Sequence, residues 1–190
     1  MGKNNDAESG PTTPRAPRRL AFFNDLLAAT HTTQVQVAEM RGITKMTVYK
    51  WFVTDDCNLK TVASVINELG YRFEICMTRL ASAAARDVEV SDKDVSLIGG
   101  RLVTKRLFFL STALREAGVG KKELATMMGL YESTVHQWFK NDDITFSRIY
   151  QIAEALDMDI YFNMEPKTVN KTEGRKVSYK IKLYKEESLV

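Results

Sequence analysis

The side chains best equipped for chemistry in this 190-residue sequence are cations, hydroxyls and amides that fall into two close-spaced sets. Lys45, Met46, Thr47, Tyr49 and Lys50 make the first set; Lys121, Lys122, Ser133, Thr134, His136, Gln137 and Lys140 make the second. Groups of this kind along one helix can donate to and accept from base edges in a DNA major groove, where each base pair shows its own pattern. Catalytic constellations are missing. His31 and His136 are the only histidines, and there is no glycine-rich phosphate loop, no His-Glu-x-x-His and no serine or cysteine in a nucleophile motif. No enzymatic activity, metal or cofactor is therefore expected. Asp55-Asp56 and Asp142-Asp143 are the one tempting pairing of carboxylates, but each follows one helix and precedes another, which assigns them to turns and caps.

The two sets occupy matching places in an internal repeat. Thr47-Val48-x-x-Trp51-Phe52-x-x-Asp55-Asp56 returns as Thr134-Val135-x-x-Trp138-Phe139-x-x-Asp142-Asp143, and the offset of 87 positions runs without a gap from Ala38/Ala125 to Met77/Met164. In each copy a short helix precedes a glycine, Gly42 or Gly129, that can take positive φ, and a second short helix follows it. Thr33 and Thr44 are placed to cap the two helices of the first copy. Ala38 is small where the helices cross, and Val37, Ile43, Val48 and Trp51 fall on one buried face, leaving Lys45 to Lys50 outward apart from Val48. Trp51 and Trp138 are expected to anchor the core.

Thr33-Gln34, Ala38, Gly42, Thr44 and Trp51 together resemble the lambda-repressor-like (XRE-type) helix-turn-helix family, in two tandem copies. The resemblance implies a sequence-specific double-stranded DNA-binding protein, a bacterial or mobile-element transcriptional regulator of the repressor type; with no apolar run of signal-peptide or membrane-span length, it is expected to be cytoplasmic and nucleoid-associated. The resemblance also implies that Gln34 bonds phosphate and braces a reading side chain, and it adds Thr44 to the contact surface. The second copy departs from the family pattern, with Gly120-Lys121 for Thr-Gln, Tyr131 for the Ser/Thr cap, and Glu132 in place of Lys45. That copy either reads bases, touches phosphate only, or serves as a pairing module. Two other readings stand beside repression: an antitoxin-like autoregulator that captures a partner through its C-terminal strand, and a protein-interaction adaptor on the same scaffold.

The rest of the chain supplies the frame. Residues 1–17 are rich in polar residues and proline and read as a solvated tail, whose basic end, Pro14 to Arg19, could lie along phosphates. Residues 18–79 form the first helix-turn-helix domain with a terminal strand, 80–100 a partly helical linker, 101–166 the second domain with its strand, and 167–190 a C-terminal strand extension. The fold class is mainly α, with four helices per domain. Leu20 to Ala29 and Leu102 to Glu116 are the supporting first helices, and Asn58 and Thr145 are the expected caps of the fourth. Tyr71-Phe73-Ile75-Met77, Met158-Ile160-Phe162-Met164 and Val177-Tyr179-Ile181-Leu183 alternate with polar residues and read as strands, which pair within the chain or across a homodimer.

Lys plus Arg at 27 against Asp plus Glu at 24 gives a net charge of +3, a weak lean towards anionic partners. Cys57 and Cys76 lie in no metal or redox motif and are expected as reduced thiols. No run approaches the ~20 apolar residues of a membrane span, so no membrane partner is expected.

Overall fold

The computed structural model describes residues 18–79, 95–98, 101–167 and 177–181. The elements run α1 (Ala21–Ala29), α2 (Gln34–Arg41), α3 (Lys45–Thr54), α4 (Leu59–Glu68) and β1 (Tyr71–Thr78). They continue with β2 (Val95–Ile98), β3 (Arg101–Thr104), α5 (Phe108–Ala117), α6 (Lys121–Met127), α7 (Glu132–Asn141), α8 (Phe146–Leu156), β4 (Asp159–Pro166) and β5 (Val177–Ile181). The chain is mainly helical, and its two halves follow one backbone path at the offset of 87. The positive-φ residues make this plain, for among the described residues they fall into four pairs at that offset: His31/Gly118, Gly42/Gly129, Asp55/Asp142 and Gly70/Asp157.

The helices form where the apolar spacing requires them. Leu20 at the N-cap and Phe23, Leu26 and Leu27 along α1 are buried, as are Phe146, Ile149, Tyr150, Ala153 and Leu156 along α8. The three alternating runs join one antiparallel sheet in the order β1-β4-β5, and the described part of the third run ends at Ile181. In the central strand β4, Ile160, Phe162 and Met164 are buried beneath the helices. Pairing of β1 with β4 brings the cores of the two halves into contact. Phe22 of α1 stacks on Phe162 of β4 at 4.2 Å between ring centroids and on Phe73 of β1 at 5.6 Å, and it packs on Phe146 of α8 at 5.4 Å. Such pairs add about 0.5–1.5 kcal/mol each beyond the apolar area they bury.

The two Asp-Asp sequences lock the halves internally and to each other. Asp55 accepts the backbone N–H of Arg19 at 2.6 Å and of Leu20 at 2.9 Å, fixing the start of α1. Asp142 does the same for Arg106 and Leu107 before α5, both at 2.9 Å. The second aspartate of each pair crosses over: Asp56 accepts the N–H of Ser147 in α8 at 2.8 Å, and Asp143 accepts the N–H of Lys60 in α4 at 2.8 Å. Asn58 and Thr145 hold the N-cap positions of α4 and α8 but make no side-chain cap bond, contrary to expectation. The carboxylate from the opposite half already occupies the end of each helix, and Asn58 and Thr145 instead form a backbone bridge with one another.

The region expected as a linker differs from its sequence reading. β2 and β3 pair as an antiparallel hairpin, and α5 begins at Phe108 rather than near Leu102. The β-branched residues Val95, Ile98, Val103 and Thr104 flank Gly99-Gly100, a dipeptide favoured in two-residue hairpin connections, so strand pairing wins over helix extension here. Residues 1–17, 80–94, 99–100, 168–176 and 182–190 lie outside the described residues, and with them the tail, most of the linker, the C-terminal loop and the end of the third alternating run at Leu183.

Candidate nucleic-acid interface

The candidate interface is built on two helix pairs, of which the first is capped by side chains. In α2, Thr33 Oγ1 accepts the N–H of Gln36 at 3.3 Å while Gln36 Oε1 accepts the N–H of Thr33 at 2.7 Å, a reciprocal capping box. Gly42 at φ 61° ends α2, and the N–H of Ile43 donates to the Ala38 carbonyl at 2.9 Å to close the turn. Thr44 Oγ1 then accepts the N–H of Thr47 at 3.2 Å and starts α3. Val37, Ala38 and Val48 are buried where α2 crosses α3. The second pair uses the same turn, with Leu130 N–H donating to the Ala125 carbonyl at 2.8 Å, but its N-cap residues Gly120 and Tyr131 give no side-chain bond.

This local geometry turns one face of α3 outward. Lys45, Met46, Thr47, Tyr49 and Lys50 are all exposed, as is Thr44 at its start, whereas Val48 is fully buried. The side chains of Lys45, Tyr49 and Lys50 make no hydrogen bond or ion pair among the described residues. Gln34 is half-buried at the first position of α2. Val53, which the sequence assigns to the turn after the helix, lies within α3 and belongs to the same surface: Met46, Tyr49 and Val53 form a stripe with 60%, 51% and 62% of their surface exposed. The signal was available in the spacing, since positions 46, 49 and 53 share one side of a helix.

On α7 the matching positions are Ser133, His136 and Lys140, with Gln137 in place of Lys50, so the stripe is polar. Ser133, His136, Gln137 and Lys140 are exposed and Thr134 is half-buried; Ser133, Thr134, Gln137 and Trp138 line one shallow depression. His136 Nε2 lies 3.2 Å from Glu132 Oε1, and Gln137 donates to Asn141 Oδ1 at 3.2 Å, so part of this face is engaged along its own helix. Lys122 is exposed, but Lys121 is not free in the same way, because its ammonium lies 4.2 Å from the centre of the Phe139 ring.

Residues 110–161 match the Cro/C1-type HTH DNA-binding domain family. The matched HTH segment runs from α5 into β4 and contains α6 and α7, the pair whose sequence strays further from the pattern of Thr-Gln and a Ser/Thr cap. No curated protein and no solved structure matches the chain. An HTH domain of this type supports double-stranded DNA as the partner and regulation of transcription as the role.

Three other groups singled out in the sequence have defined surroundings. Arg19 does not extend the basic end of the tail, because its Nε donates to the Asp55 carbonyl at 2.8 Å; Arg18 is exposed. Trp51 and Trp138 are half-buried at the rim of the core rather than enclosed by it. Cys57 is buried, and burial is the main cause that pushes its thiol up to about 12. Among the described residues, no group of His, Cys, Asp and Glu is arranged to hold a metal, and no helix is long and apolar enough to cross a membrane.

Proposed function

We propose that the chain binds double-stranded DNA in a sequence-specific way and regulates transcription as a repressor, with two tandem helix-turn-helix pairs presenting α3 and α7 to major grooves. The observation that supports this most directly is the outward face of α3, where two lysines and a tyrosine stand unengaged on a helix fixed by Thr44. A solvated surface helix needs no such stripe of Met46, Tyr49 and Val53 beside its cations. Apolar side chains of this kind fit thymine methyl groups, and lysine fits the O6 and N7 acceptors of guanine. In the second half, Lys122, Ser133, His136, Gln137 and Lys140 supply a more polar surface, with Glu132 where the first half has Lys45.

The full chain on a randomised duplex library tests the reading. Retention at low salt should fall as salt rises, with a log–log slope of about −0.9 for each phosphate neutralised, and repeated selection should enrich a common site. A reporter driven by a promoter carrying that site should lose expression when the protein is present. Absence of any duplex retention at low salt would refute DNA binding, and enrichment of a site with raised reporter expression would refute repression alone.

A further inference from the structure

The contacts between the two halves have a symmetry that a tandem repeat does not by itself require. Leu59 N–H donates to the Ile144 carbonyl at 2.8 Å, and Phe146 N–H donates to the Cys57 carbonyl at 3.0 Å; residues 146 and 144 are the equivalents of 59 and 57. The crossed aspartates behave in the same way, Asp56 with Ser147 and Asp143 with Lys60. Where strand β1 meets β4, Ile75 lies opposite Phe162, its own equivalent at the offset of 87, and the bridge before α4 and α8 joins Asn58 to its own equivalent, Thr145. An interface in which i meets j and the copy of j meets the copy of i is isologous, the pattern of a two-fold axis. A head-to-tail arrangement of the same units would give one-way contacts instead. The axis therefore passes through the Ile75/Phe162 pair and the Asn58/Thr145 bridge.

We propose that one copy of this chain reads an imperfect inverted repeat, with α3 on one half-site and α7 on the other, and that the half-site centres lie one helical turn apart. The proposal rests on the DNA-binding reading above and adds the form of the target. A protein two-fold is mirrored by a palindromic site, whereas units related by translation would call for a direct repeat.

Chain length sets the spacing. Thr54 and Asn141, the last residues of α3 and α7, are four positions before Asn58 and Thr145 on the axis. Four extended residues span at most ~14 Å, half of a ten-residue helix adds ~7 Å, and directly opposed backbones lie ~5 Å apart. The midpoints of α3 and α7 are thus at most roughly 45–50 Å apart, which admits one turn of duplex, ~34 Å, and excludes two. The half-sites must also differ in sequence. Met46, Tyr49, Lys50 and Val53 suit thymine methyls and guanine, while Ser133, His136, Gln137 and Lys140 replace them on the other side, and glutamine suits adenine.

The test uses the full chain on the duplex selected from a randomised library and on three derivatives of it: one half-site inverted in place, one half-site scrambled, and five base pairs inserted between the halves. The selected site should be two unlike half-sites in inverted orientation, 10–11 bp between centres, bound by one chain per duplex as counted by sedimentation. Each derivative should bind at least roughly tenfold more weakly, because a wrongly placed half-site forfeits several base contacts. Lys50→Ala should relax base preference in one half-site only, and Gln137→Ala in the other only. Selection of a direct repeat, two chains per duplex, or both substitutions acting on the same half-site would overturn the proposal while leaving DNA binding intact. Failure to hold any duplex at low salt would overturn both.

Discussion

Replacing Asp56 by alanine tests whether the two halves are one folding unit. Asp56 lies in the turn after α3, yet its carboxylate serves α8 of the other half: Oδ1 accepts the Ser147 N–H at 2.8 Å and Oδ2 accepts the Ser147 hydroxyl at 2.7 Å, both in a partly buried setting. Loss of an N-terminal cap costs about 1 kcal/mol, and a hydrogen bond to an ionised group about 1.5–3 kcal/mol when removed. Ser147 can recover part of this from water, so a net loss of about 2 kcal/mol is expected. For a cooperative unit of this size, each kcal/mol lowers Tm by about 2–4 °C, which places the expected drop at about 4–8 °C. Differential scanning calorimetry should show one transition before and after the change, moved as a whole. Asp143→Ala should cost less, about 1 kcal/mol, because its bond to Lys60 is exposed. Asp25→Ala, on the open side of α1, should stay within about 0.5 kcal/mol of the parent. Splitting of the Asp56→Ala endotherm into two peaks, with only one displaced, would show that the halves fold separately and that the crossed caps couple nothing.

Phe162→Ala should cost about 3–5 kcal/mol and weaken hydrogen-exchange protection in α1 as well as α8, since Phe162 touches Phe22 and Phe73 on one side and Phe146 and Tyr150 on the other; protection lost in the second half alone would contradict the shared core. Glu132→Lys should tighten binding to every duplex and steepen the salt slope by about one, while Lys50→Ala should cost about 1–3 kcal/mol of discrimination at one or two base pairs, both read by titration on matched and mismatched sites. Iodoacetamide at pH 8 should label exposed Cys76 well before Cys57, whose thiol stays neutral because burial lifts it from 9.0 to about 12; mass spectrometry of the labelled chain decides the order. A raised folded-state value favours the protonated thiol, so this contribution to stability is full below about pH 9 and declines as pH climbs towards 12, which urea titrations across that range should show.

What could be read from the sequence was what depends on local spacing. Val37, Val48 and Ala38 repeat at helical intervals, Thr33 and Thr44 stand where caps belong, and the alternation in Tyr71 to Met77 and Met158 to Met164 gives strands; each of these pointed to the element that formed. The outward face of α3 follows from the same periodicity, but Val53 reads as the start of the turn that ends in Asp55-Asp56, whereas α3 continues to Thr54 and brings Val53 onto that face. Partners distant in the chain were not legible. Nothing near Asp56 announces that it will cap a helix 91 positions away, and nothing near Asn58 shows that its N-cap duty will be done by Asp143. The hairpin of β2 and β3 was missed for another reason: strands of four residues carry too little alternation to outweigh an adjacent helix-forming run.

The residues on the axis carry a consequence for assembly. In a dimer of identical chains every residue on a two-fold axis faces itself, so its size and polarity must suit a copy of itself. Here isoleucine faces phenylalanine and asparagine faces threonine, unequal pairs that a dimer of identical chains could not place on its axis. Two first halves meeting across this axis would set isoleucine against isoleucine, and two second halves phenylalanine against phenylalanine, so neither combination reproduces the Phe22–Phe73–Phe162 stack. The mismatch favours partnership between unlike halves, and the covalent link supplies the unlike half at fixed proximity. Either half is then at liberty to change its side of the axis without the same change being imposed on the other.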